Sequence, residues 1–295
     1  MNEILVTGGS GFLGRYLNKR LLDKYKNVRI KMISRDENDI AKTMGICRDS
    51  RLTPIVGDIR DSDALKFALK GVDSVIHLAA MKHIDLCELN SMEAITINVV
   101  GTMNLLKLFE GDTFVGMSTD KVVEATGCYG ATKLLTEKLI QEKAKRNGVC
   151  RYMVVRSGNI FGSSGSVVEK WRQSIRQDNE IIATNLEMTR FFIDVDVLAD
   201  FIIDVLEQGK SGNVYIPSQK VIKLEDLAKA TIELCGDGKT KMKVVGMTKG
   251  EKLHEKLFGE GEEDLVVDLQ DRSSERGERL SISEIKELLR KCDEG

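Results

Sequence analysis

The stretch GGSGFLG, residues 8–14, decides the fold, because it joins an apolar run at residues 3–7 to an amphipathic run at residues 12–25. Apolar residues in the second run recur at helical spacing. The glycines permit a sharp turn and let a pyrophosphate approach the main chain, while the helix N-terminus offers amides to the anion. The stretch therefore predicts a strand, a turn and a helix that bind a dinucleotide; the alternative interpretation is an ordinary glycine-rich turn.

Strands and helices alternate downstream of this turn. Short β-branched runs predict the strands, and longer amphipathic runs predict the helices. The predicted strands lie at residues 3–7, 28–33, 54–56, 74–78, 113–117, 152–156 and 213–216. The predicted helices lie at residues 12–25, 64–69, 92–109, 129–146, 167–176, 197–206, 224–234 and 283–291, and we expect 92–109 to be one long buried helix. We therefore predict an α/β fold: a Rossmann-like doubly wound parallel sheet with a smaller C-terminal α/β substrate-binding region.

The composition argues against several classes of protein. The 295-residue chain has 44 Lys and Arg residues against 46 Asp and Glu residues, so we expect neither nucleic-acid binding nor a polybasic membrane surface. Six cysteines without a C-x-x-C pair and only three histidines predict reduced thiols, with no metal site and no disulfide framework. Because the sequence shows neither a signal-peptide pattern nor an apolar run of about 18 residues, we expect a soluble, cytoplasmic protein.

The end of the second predicted strand carries the residues that distinguish the two nicotinamide cofactors. An NAD-specific fold usually has Asp or Glu there, whereas this chain has Ser34 and Arg35. A guanidinium and a hydroxyl suit a 2′-phosphate, so we predict NADP; Asp36 and Glu37 close behind leave NAD open, and Arg35 could equally be an ordinary exposed cation. The predicted cofactor contacts are Gly8, Ser10, Gly11, Phe12, Gly14, Ser34, Arg35, Asp58, Ile59, Ala79, Ala80, Lys82, Asn98, Tyr129 and Lys133.

Two short motifs carry the chemistry. STDK, residues 118–121, follows the fifth predicted strand, and YGATK, residues 129–133, begins the next helix. Tyr129 and Lys133 share a helix face, so the ammonium is expected to lower the pKa of the Tyr129 phenol from its usual value near 10 and to hold a ribose hydroxyl. Tyr129 is then predicted to accept a proton while hydride leaves for nicotinamide.

On these residues the chain resembles the extended short-chain dehydrogenases/reductases, and more narrowly the UDP-N-acetylglucosamine 4,6-dehydratases that invert C5. The likeness runs from Ile4 to about Leu289. It is carried, in chain order, by GGSGFLG (8–14), SRDE (34–37), GDIRD (57–61), HLAAMKHIDLCELN (77–90), INVVGTMNL (97–105), STDK (118–121), YGATK (129–133), VVRSGNIFGSSGSVV (154–168), MTRFFI (188–193) and GEKLHE (250–255).

The resemblance implies that the protein removes water from a sugar. A dehydratase must take a proton from C5 and give one to the C6 hydroxyl, and an adjacent amine and carboxyl can divide that work. By resemblance, Tyr129 is the base for oxidation at C4, Lys121 takes the C5 proton, and Asp120 protonates the C6 leaving group. Hydride then returns to C6, and C5 is reprotonated on its other face. The alternative for Asp120 and Lys121 is a solvent-exposed ion pair. The predicted catalytic residues are Thr119, Asp120, Lys121, Tyr129 and Lys133.

The resemblance assigns the sugar nucleotide, UDP-N-acetylglucosamine, to the second half of the chain. Arg190 is implied to pair with phosphate, whereas an internal salt bridge is a nearly equal alternative for Arg156. GEGEED, residues 259–264, is expected to be an acidic surface loop and nothing more. The predicted substrate contacts are Lys82, Asn159, Ser166, Val167, Arg190 and Glu251. We accordingly divide the chain into an NADP-binding domain with the catalytic residues at 1–156 and a smaller sugar-nucleotide domain at 157–295, with the chain free to return to the sheet.

Two departures from the family pattern bear on specificity. VEATGC, residues 123–128, replaces the usual proline and asparagine, and Ser157 stands where relatives commonly have tyrosine. The enzymatic alternatives are a retaining 4,6-dehydratase or a 4-epimerase of the same sugar nucleotide, although Tyr129 favours inversion because retaining relatives often have methionine there. An NADP-binding regulator without catalysis is the alternative from another class. Helices of the superfamily that correspond to 92–109 and 129–146 often pair, which implies a homo-oligomer.

Overall fold

A computed structural model describes residues 2–146, 148–247, 251–267 and 273–294 of the chain. The strands of these residues are β1 Glu3–Thr7, β2 Arg29–Ser34, β3 Leu52–Val56, β4 Ser74–His77, β5 Thr113–Thr119, β6 Arg151–Ser157, β7 Asn159–Ile160, β8 Glu180–Ala183, β9 Thr189–Ile193, β10 Val214–Tyr215, β11 Lys220–Lys223, β12 Lys241–Val244 and β13 Val266–Val267. The α-helices are α1 Phe12–Lys24, α2 Glu37–Cys47, α3 Ser62–Leu69, α4 Ile84–Leu89, α5 Ser91–Ile95, α6 Gly101–Leu108, α7 Cys128–Arg146, α8 Val167–Asp178, α9 Val195–Gln208, α10 Leu224–Cys235 and α11 Ile282–Glu294.

Eight strands form one parallel sheet with the spatial order β13-β10-β6-β5-β4-β1-β2-β3. The order reverses direction between β1 and β4, so the loops after these strands diverge and open a crevice at the carboxyl edge. Buried apolar clusters lie on both faces of the sheet. The predicted doubly wound Rossmann-like sheet is therefore confirmed.

The first turn shows why glycine is needed between β1 and α1. Gly8 has a φ of +68°, and a Cβ there would lie 2.8 Å from Ala79 N. A Cβ on Gly14 would lie 2.6 Å from Gly8 O. Since neither contact can be relieved by a side-chain movement, larger residues would push α1 and the loop after β4 away from β1.

The predicted helix over 92–109 is wrong in two respects. It is divided into α5, a π-helical turn over Thr96–Val100, and α6. It is also not buried throughout, because Met92 is 76% exposed. The wider turn rotates Asn98 into the interior, where 2% of its surface is exposed, and π-turns of this kind often occur at functional sites.

The second half of the chain forms smaller layers and also returns to the large sheet. β11, β9 and β7 form a three-stranded sheet, and β12 pairs with β8. Helices α8, α10 and α11 pack around a separate apolar core that includes Trp171. The strand predicted at 213–216 is present as β10, but it pairs with β6 in the large sheet. The division at residue 156 stays a prediction, with β10 and β13 as the segments that return.

The acidic stretch at 259–264 is more than a surface loop, which corrects the sequence prediction. Glu262 accepts hydrogen bonds from both Nη atoms of Arg156 at 2.9 and 3.0 Å. Arg156 is fully buried and also binds Glu137 of α7 at 2.6 and 3.0 Å. The internal salt bridge considered for Arg156 is thus the arrangement found, and it joins β6, α7 and this loop. The sequence pattern of this acidic stretch did not indicate that one of its six residues contacts the buried guanidinium of Arg156.

Two structural features are absent from the described residues. No helix in this part of the chain is long and apolar enough to cross a bilayer. The same residues contain no group of three or more His, Cys, Asp or Glu side chains with the geometry of a metal site.

Candidate active site

A cavity of about 1300 Å³ lies at the carboxyl ends of the central strands, where open parallel sheets bind their ligands. The predicted site residues that line it are Gly8, Ser10, Gly11, Phe12, Gly14, Ser34, Arg35, Asp58, Ile59, Ala79, Ala80, Lys82, Thr119, Lys121, Tyr129, Lys133, Asn159, Ser166, Val167, Arg190 and Glu251. Two other predicted residues, Asn98 and Asp120, lie in the wall behind it with 2% and 0% of their surfaces exposed.

The beginning of α1 fits the pyrophosphate of a dinucleotide. Gly11 precedes the helix, and no side chain caps its first amides. The N–H groups of a first helical turn have no partner within the helix, and here they lie at the cavity wall beside Phe12 and Gly14. An anion is the natural ligand of such a turn because it both accepts these hydrogen bonds and meets the positive end of the helix dipole.

The end of β2 presents a cation and hydroxyls to the same cavity. Ser10 Oγ donates to Ser34 Oγ at 2.6 Å, and Arg35 Nη1 lies 3.8 Å from the Asp58 carboxylate. Asp36, by contrast, caps α2: its Oδ1 accepts from the main-chain N–H of residues 38 and 39. One of its two carboxylate oxygens is therefore engaged in helix capping, although Asp36 also lines the cavity, and this reduces its suitability as a ribose acceptor.

A chain of buried hydrogen bonds supports the loop after β4. His77 Nδ1 lies 2.7 Å from Thr7 Oγ1, and His77 Nε2 lies 2.9 Å from Thr102 Oγ1. Because Thr102 donates its proton to Asn98 O at 2.6 Å, His77 Nε2 must be the donor to Thr102, and Nδ1 accepts from Thr7. Burial lowers the pKa of His77 to about 3, with the Lys133 charge acting in the same direction. The imidazole is consequently a neutral spacer between β1 and the π-turn.

Asn98 uses its whole side chain to hold neighbouring elements. Its Oδ1 accepts from Met81 N at 2.7 Å, and its Nδ2 donates to Met81 O and to Thr132 Oγ1, both at 3.0 Å. The amide therefore ties the loop after β4 to α7, which carries Tyr129 and Lys133. This places Asn98, which was itself predicted to contact the cofactor, one layer behind the residues that line the cavity, and its contact with the cofactor stays a prediction.

Tyr129 and Lys133 lie on α7 as their spacing predicts, but their acidities differ from the sequence expectation. Burial raises the pKa of the Tyr129 phenol, and the Asp120 charge raises it further, whereas a side-chain hydrogen bond with Thr119 acts to lower it. The lowering by Lys133 that the spacing predicts is not found. Burial instead lowers the pKa of Lys133 to about 8, opposed by the charge of Glu137. The physical reason is that desolvation of two side chains packed in one wall outweighs their mutual attraction.

Asp120 and Lys121 form a direct acid–base pair at the end of β5. Lys121 Nζ lies 2.9 Å from Asp120 Oδ1 and 3.4 Å from Asn159 Oδ1. Thr119 Oγ1 also donates to Asp120 Oδ1, at 3.0 Å. Asp120 is fully buried and the Lys121 side chain is 18% exposed, so the pair is not the solvent-exposed ion pair of the alternative interpretation. Asp120 Oδ2 is buried and has no hydrogen-bond partner within the described part of the chain.

The residues predicted to bind the sugar nucleotide surround the other half of the cavity. Lys82 Nζ donates to Ser164 O at 3.0 Å, and Ser166 caps α8. Arg190 donates through Nη1 and Nη2 to the main-chain oxygens of residues 189, 252 and 253 and to a methionine sulfur. Most of its donors are thus engaged within the protein, and pairing with a phosphate would require one of these bonds to be exchanged.

Lys252 and Glu255 are among the residues of the cavity wall that were not predicted individually. Glu255 is 4% exposed, and Lys252 donates to Val123 O in the loop that follows the acid–base pair. Both lie in GEKLHE, from which only Glu251 was selected. The signal that could have found them is the concentration of charges in a block that lies at the site by resemblance.

The fold and the site together define a class of protein. A glycine turn after the first strand, a strand-end hydroxyl beside a Tyr-Lys pair on the following helix, and a second layer over the cavity are the arrangement of an extended short-chain dehydrogenase/reductase. The family model described as polysaccharide biosynthesis protein matches residues 4–275, so the chain belongs to that family.

Individual relatives narrow the comparison. The chain is 35% identical over 274 residues to UDP-N-acetylglucosamine 4,6-dehydratase (inverting) of Campylobacter jejuni, covering 91% of this chain and 80% of the relative. It is 31% identical to UDP-glucose 4-epimerase of Rickettsia felis, covering 98% and 96% of the two chains. Among solved structures, Pen from Bacillus thuringiensis superimposes with a TM-score of 0.92 at 28% identity, covering 99% and 98%. These likenesses confirm the resemblance inferred from the sequence.

Proposed function

We propose that the protein is an NADP-dependent UDP-N-acetylglucosamine 4,6-dehydratase that inverts C5. Its product would be UDP-2-acetamido-2,6-dideoxy-β-L-arabino-hex-4-ulose, a precursor for deoxy amino sugars of surface glycans, made in the cytoplasm. The observation that carries this proposal is the 2.9 Å contact between Lys121 Nζ and Asp120 Oδ1 in the cavity wall. The identity to the inverting dehydratase of C. jejuni supports it.

The proposed roles divide between four side chains. Tyr129 accepts the proton of the C4 hydroxyl, and Lys133 holds the ribose. When bound, the nicotinamide supplies a reversible hydride acceptor. Lys121 Nζ takes the C5 proton, whose acidity comes from the ketone at C4. Asp120 gives a proton to the C6 oxygen, which leaves as water.

This division requires a particular distribution of protons in the pair. Lys121 must be a free amine and Asp120 a carboxylic acid at the moment of reaction. That state differs from the ion pair by the movement of one proton across the 2.9 Å hydrogen bond. A buried site with little solvent reduces the advantage of the charged state, which supports the proposal that both states are accessible.

For the cofactor, we propose NADP rather than NAD. Ser34, Arg35 and Asp36 all line the cavity at the end of β2, and Asp36 Oδ1 is engaged in capping α2. A 2′-phosphate would find a guanidinium and two serine hydroxyls there.

For the substrate, we propose that Asn159, Ser166, Val167 and Glu251 line the sugar-nucleotide half, with Lys82 between the two ligands. Asn159 supports this placement because its Oδ1 faces Lys121 while its Nδ2 donates to Phe191 O at 3.2 Å. The amide therefore fixes the base and the second layer in one geometry. Arg190 is proposed to meet a phosphate after exchange of one of its present bonds.

Incubation with UDP-N-acetylglucosamine in deuterated water, followed by proton NMR, tests the function. The proposal predicts a 4-keto-6-deoxy sugar with deuterium at C5 and the coupling pattern of inverted C5. Retained C5 stereochemistry would indicate a retaining dehydratase instead. An N-acetylgalactosamine product would indicate a 4-epimerase, the candidate favoured by the identity to the R. felis protein. Unchanged substrate, in a protein that binds NADP, would leave the NADP-binding regulator without catalysis as the remaining candidate.

We also propose that the protein is a homo-oligomer. Large apolar side chains are exposed on α4, α5 and α7, which pack side by side. They are Leu86, Leu89, Met92, Ile95 and Leu135, with exposed fractions of 40–80%. Light scattering should give at least twice the 32.9 kDa chain mass, and Leu89→Glu with Met92→Glu should reduce it.

A further inference from the structure

Glu255 is a buried carboxylate at the active site with unusual surroundings. Its Oε1 lies 3.9 Å from both Lys121 Nζ and Arg190 Nε, and its Oε2 lies 3.7 Å from Lys252 Nζ. Within the described part of the chain, Oε2 has no hydrogen-bond partner. Burying a carboxylate with incomplete hydrogen bonding costs free energy, so its presence at the cavity wall calls for a role.

The oxygens around Lys121 Nζ come from three separate parts of the chain. Asp120 Oδ1 follows β5, Asn159 Oδ1 belongs to β7, and Glu255 Oε1 belongs to the segment 251–258. The charged groups that face Glu255 are Asp120, Lys121, Arg190 and Lys252, and burial followed by the charge of Asp120 raises the pKa of Glu255. One nitrogen thus lies between two carboxyl groups.

The segment 251–258 is also fixed to the catalytic loop. Lys252 donates to Val123 O, and Lys256 pairs with Glu124, whose φ is +50°. These contacts lie on either side of Glu255 in the sequence. They hold its carboxylate at a constant distance from Lys121 across residues 121–124, of which the last two begin the departure from the family pattern.

We propose that Glu255 is a positioning residue for Lys121, which holds Nζ toward the sugar and sets the pH range in which this amine accepts the C5 proton. The inference rests on the proposed function, in which Lys121 is that base. When the C5–H bond breaks, its electron pair passes toward the C4 ketone oxygen and its proton to Nζ. The carboxylate of Glu255 stabilises the ammonium that forms. Asp120 gives its own proton to the departing C6 oxygen, so charge and protons balance.

The test is Glu255→Gln, which keeps the size and removes the charge. An opposite charge at about 4 Å shifts a titration by roughly 1 to 3 pH units. The acidic limb of the kcat profile for C5 deuterium incorporation should therefore move about 1 unit lower, and the plateau kcat should fall about tenfold, with KM within threefold. Glu255→Asp should restore most of the wild-type profile, because it retains the charge.

Glu142→Gln is the matched control, since its 51% exposed carboxylate pairs with Arg146 in the last turn of α7 and has no part in the contacts described above. We expect its profile to coincide with that of the wild type. An acidic limb that does not move in Glu255→Gln, in a protein that still binds cofactor, would overturn the proposal.

A second measurement separates this inference from the proposed function. Lysines carrying ¹³C-methyl groups can be titrated by NMR without any substrate, with the Lys121 signal assigned by Lys121→Arg. The Lys121 midpoint should be lower in Glu255→Gln than in the wild type, and equal midpoints would contradict the inference. A wild-type protein that leaves UDP-N-acetylglucosamine unchanged would contradict the proposed function and leave this titration as the test of Glu255.

Discussion

Single residues at the end of β2 decide what the ribose half of the cavity can recognise. Asp36 looks from the sequence like a competitor for the 2′-hydroxyl, but its carboxylate accepts two main-chain N–H groups of α2. Arg35 is 55% exposed and its Nη1 lies 3.8 Å from Asp58, so a phosphate could readily compete for it. Sequence position alone could not show which of these two residues is available to a ligand. An Asp just after a strand can serve either as a helix cap or as a ligand contact.

Arg35→Asp should weaken NADP binding far more than NAD binding. A charge-assisted hydrogen bond contributes about 1.5–3 kcal/mol, so we expect a loss of roughly 10- to 100-fold for NADP. Isothermal titration with both cofactors measures the difference. Lys42→Asp, an exposed change on α2, is the control and should alter neither affinity by more than about twofold. Equal losses for both cofactors in Arg35→Asp would show that the 2′ position lies elsewhere.

His77 should make the protein sensitive to mild acid. Its folded pKa of about 3 lies below the usual 6.5, because burial disfavours the charged ring. Between these two pKa values the unfolded chain therefore binds a proton that the folded chain does not bind. The free energy of unfolding decreases as pH falls through 6.5 toward 3, by up to about 1.4 kcal/mol per pH unit.

Urea unfolding of the wild type and of His77→Gln between about pH 5 and 7 measures this sensitivity. Gln can still donate to Thr102, so the variant should fold while showing a flatter dependence in this range. The same slope in both proteins would mean that His77 is not the group responsible.

At the scale of elements, the π-turn over Thr96–Val100 is the feature that hydrophobic patterning could not reveal. A continuous apolar pattern over 92–109 predicts one regular helix, since periodicity reports which face is buried and not an extra residue in a turn. The resemblance to the family singled out residues 97–105, INVVGTMNL, but only the structure shows that the Asn98 side chain is hydrogen-bonded to Met81 and Thr132.

Asn98→Ala should destabilise the protein by about 1–3 kcal/mol, because it leaves the main-chain N–H and C=O of Met81 without partners. Asn104→Ala is the matched control on the adjacent α6, where the amide donates to Arg60 O at 3.1 Å. It should cost less than about 1 kcal/mol. Denaturant midpoints of the two variants decide the point, and equal effects would contradict a special role for the π-turn.

At the scale of the whole molecule, the sequence predicted the layers well and the connections between them poorly. Six strands of the sheet and most of the helices between them follow from alternating patterns, because each element buries its own stripe. The helices α2 and α4 were not predicted. The contacts of Arg156 with Glu137 and Glu262 span up to 106 residues, and no local pattern encodes such a distance. The contact between Glu255 and Lys121 likewise joins two residues that are far apart in the sequence, and no local pattern encodes it.

Arg156→Met should destabilise the protein by about 3–5 kcal/mol, because it leaves the buried carboxylate of Glu137 and the half-buried carboxylate of Glu262 without their cation. Arg20→Met removes an ion pair whose side chains are 41% and 47% exposed and should cost at most about 1 kcal/mol. Thermal unfolding of both variants measures the contrast. Comparable losses would mean that the Arg156 cluster does not hold β6, α7 and the acidic loop together.

The proposed function depends above all on Lys121 as the residue that removes the C5 proton of the bound sugar. The most direct measurement is deuterium incorporation at C5 of UDP-N-acetylglucosamine, by NMR, in the wild type and in Lys121→Ala. The wild type should incorporate deuterium, and Lys121→Ala should lose at least about 10³-fold of this activity, with cofactor occupancy unchanged and Lys66→Ala fully active. Normal incorporation by Lys121→Ala would contradict this role for Lys121.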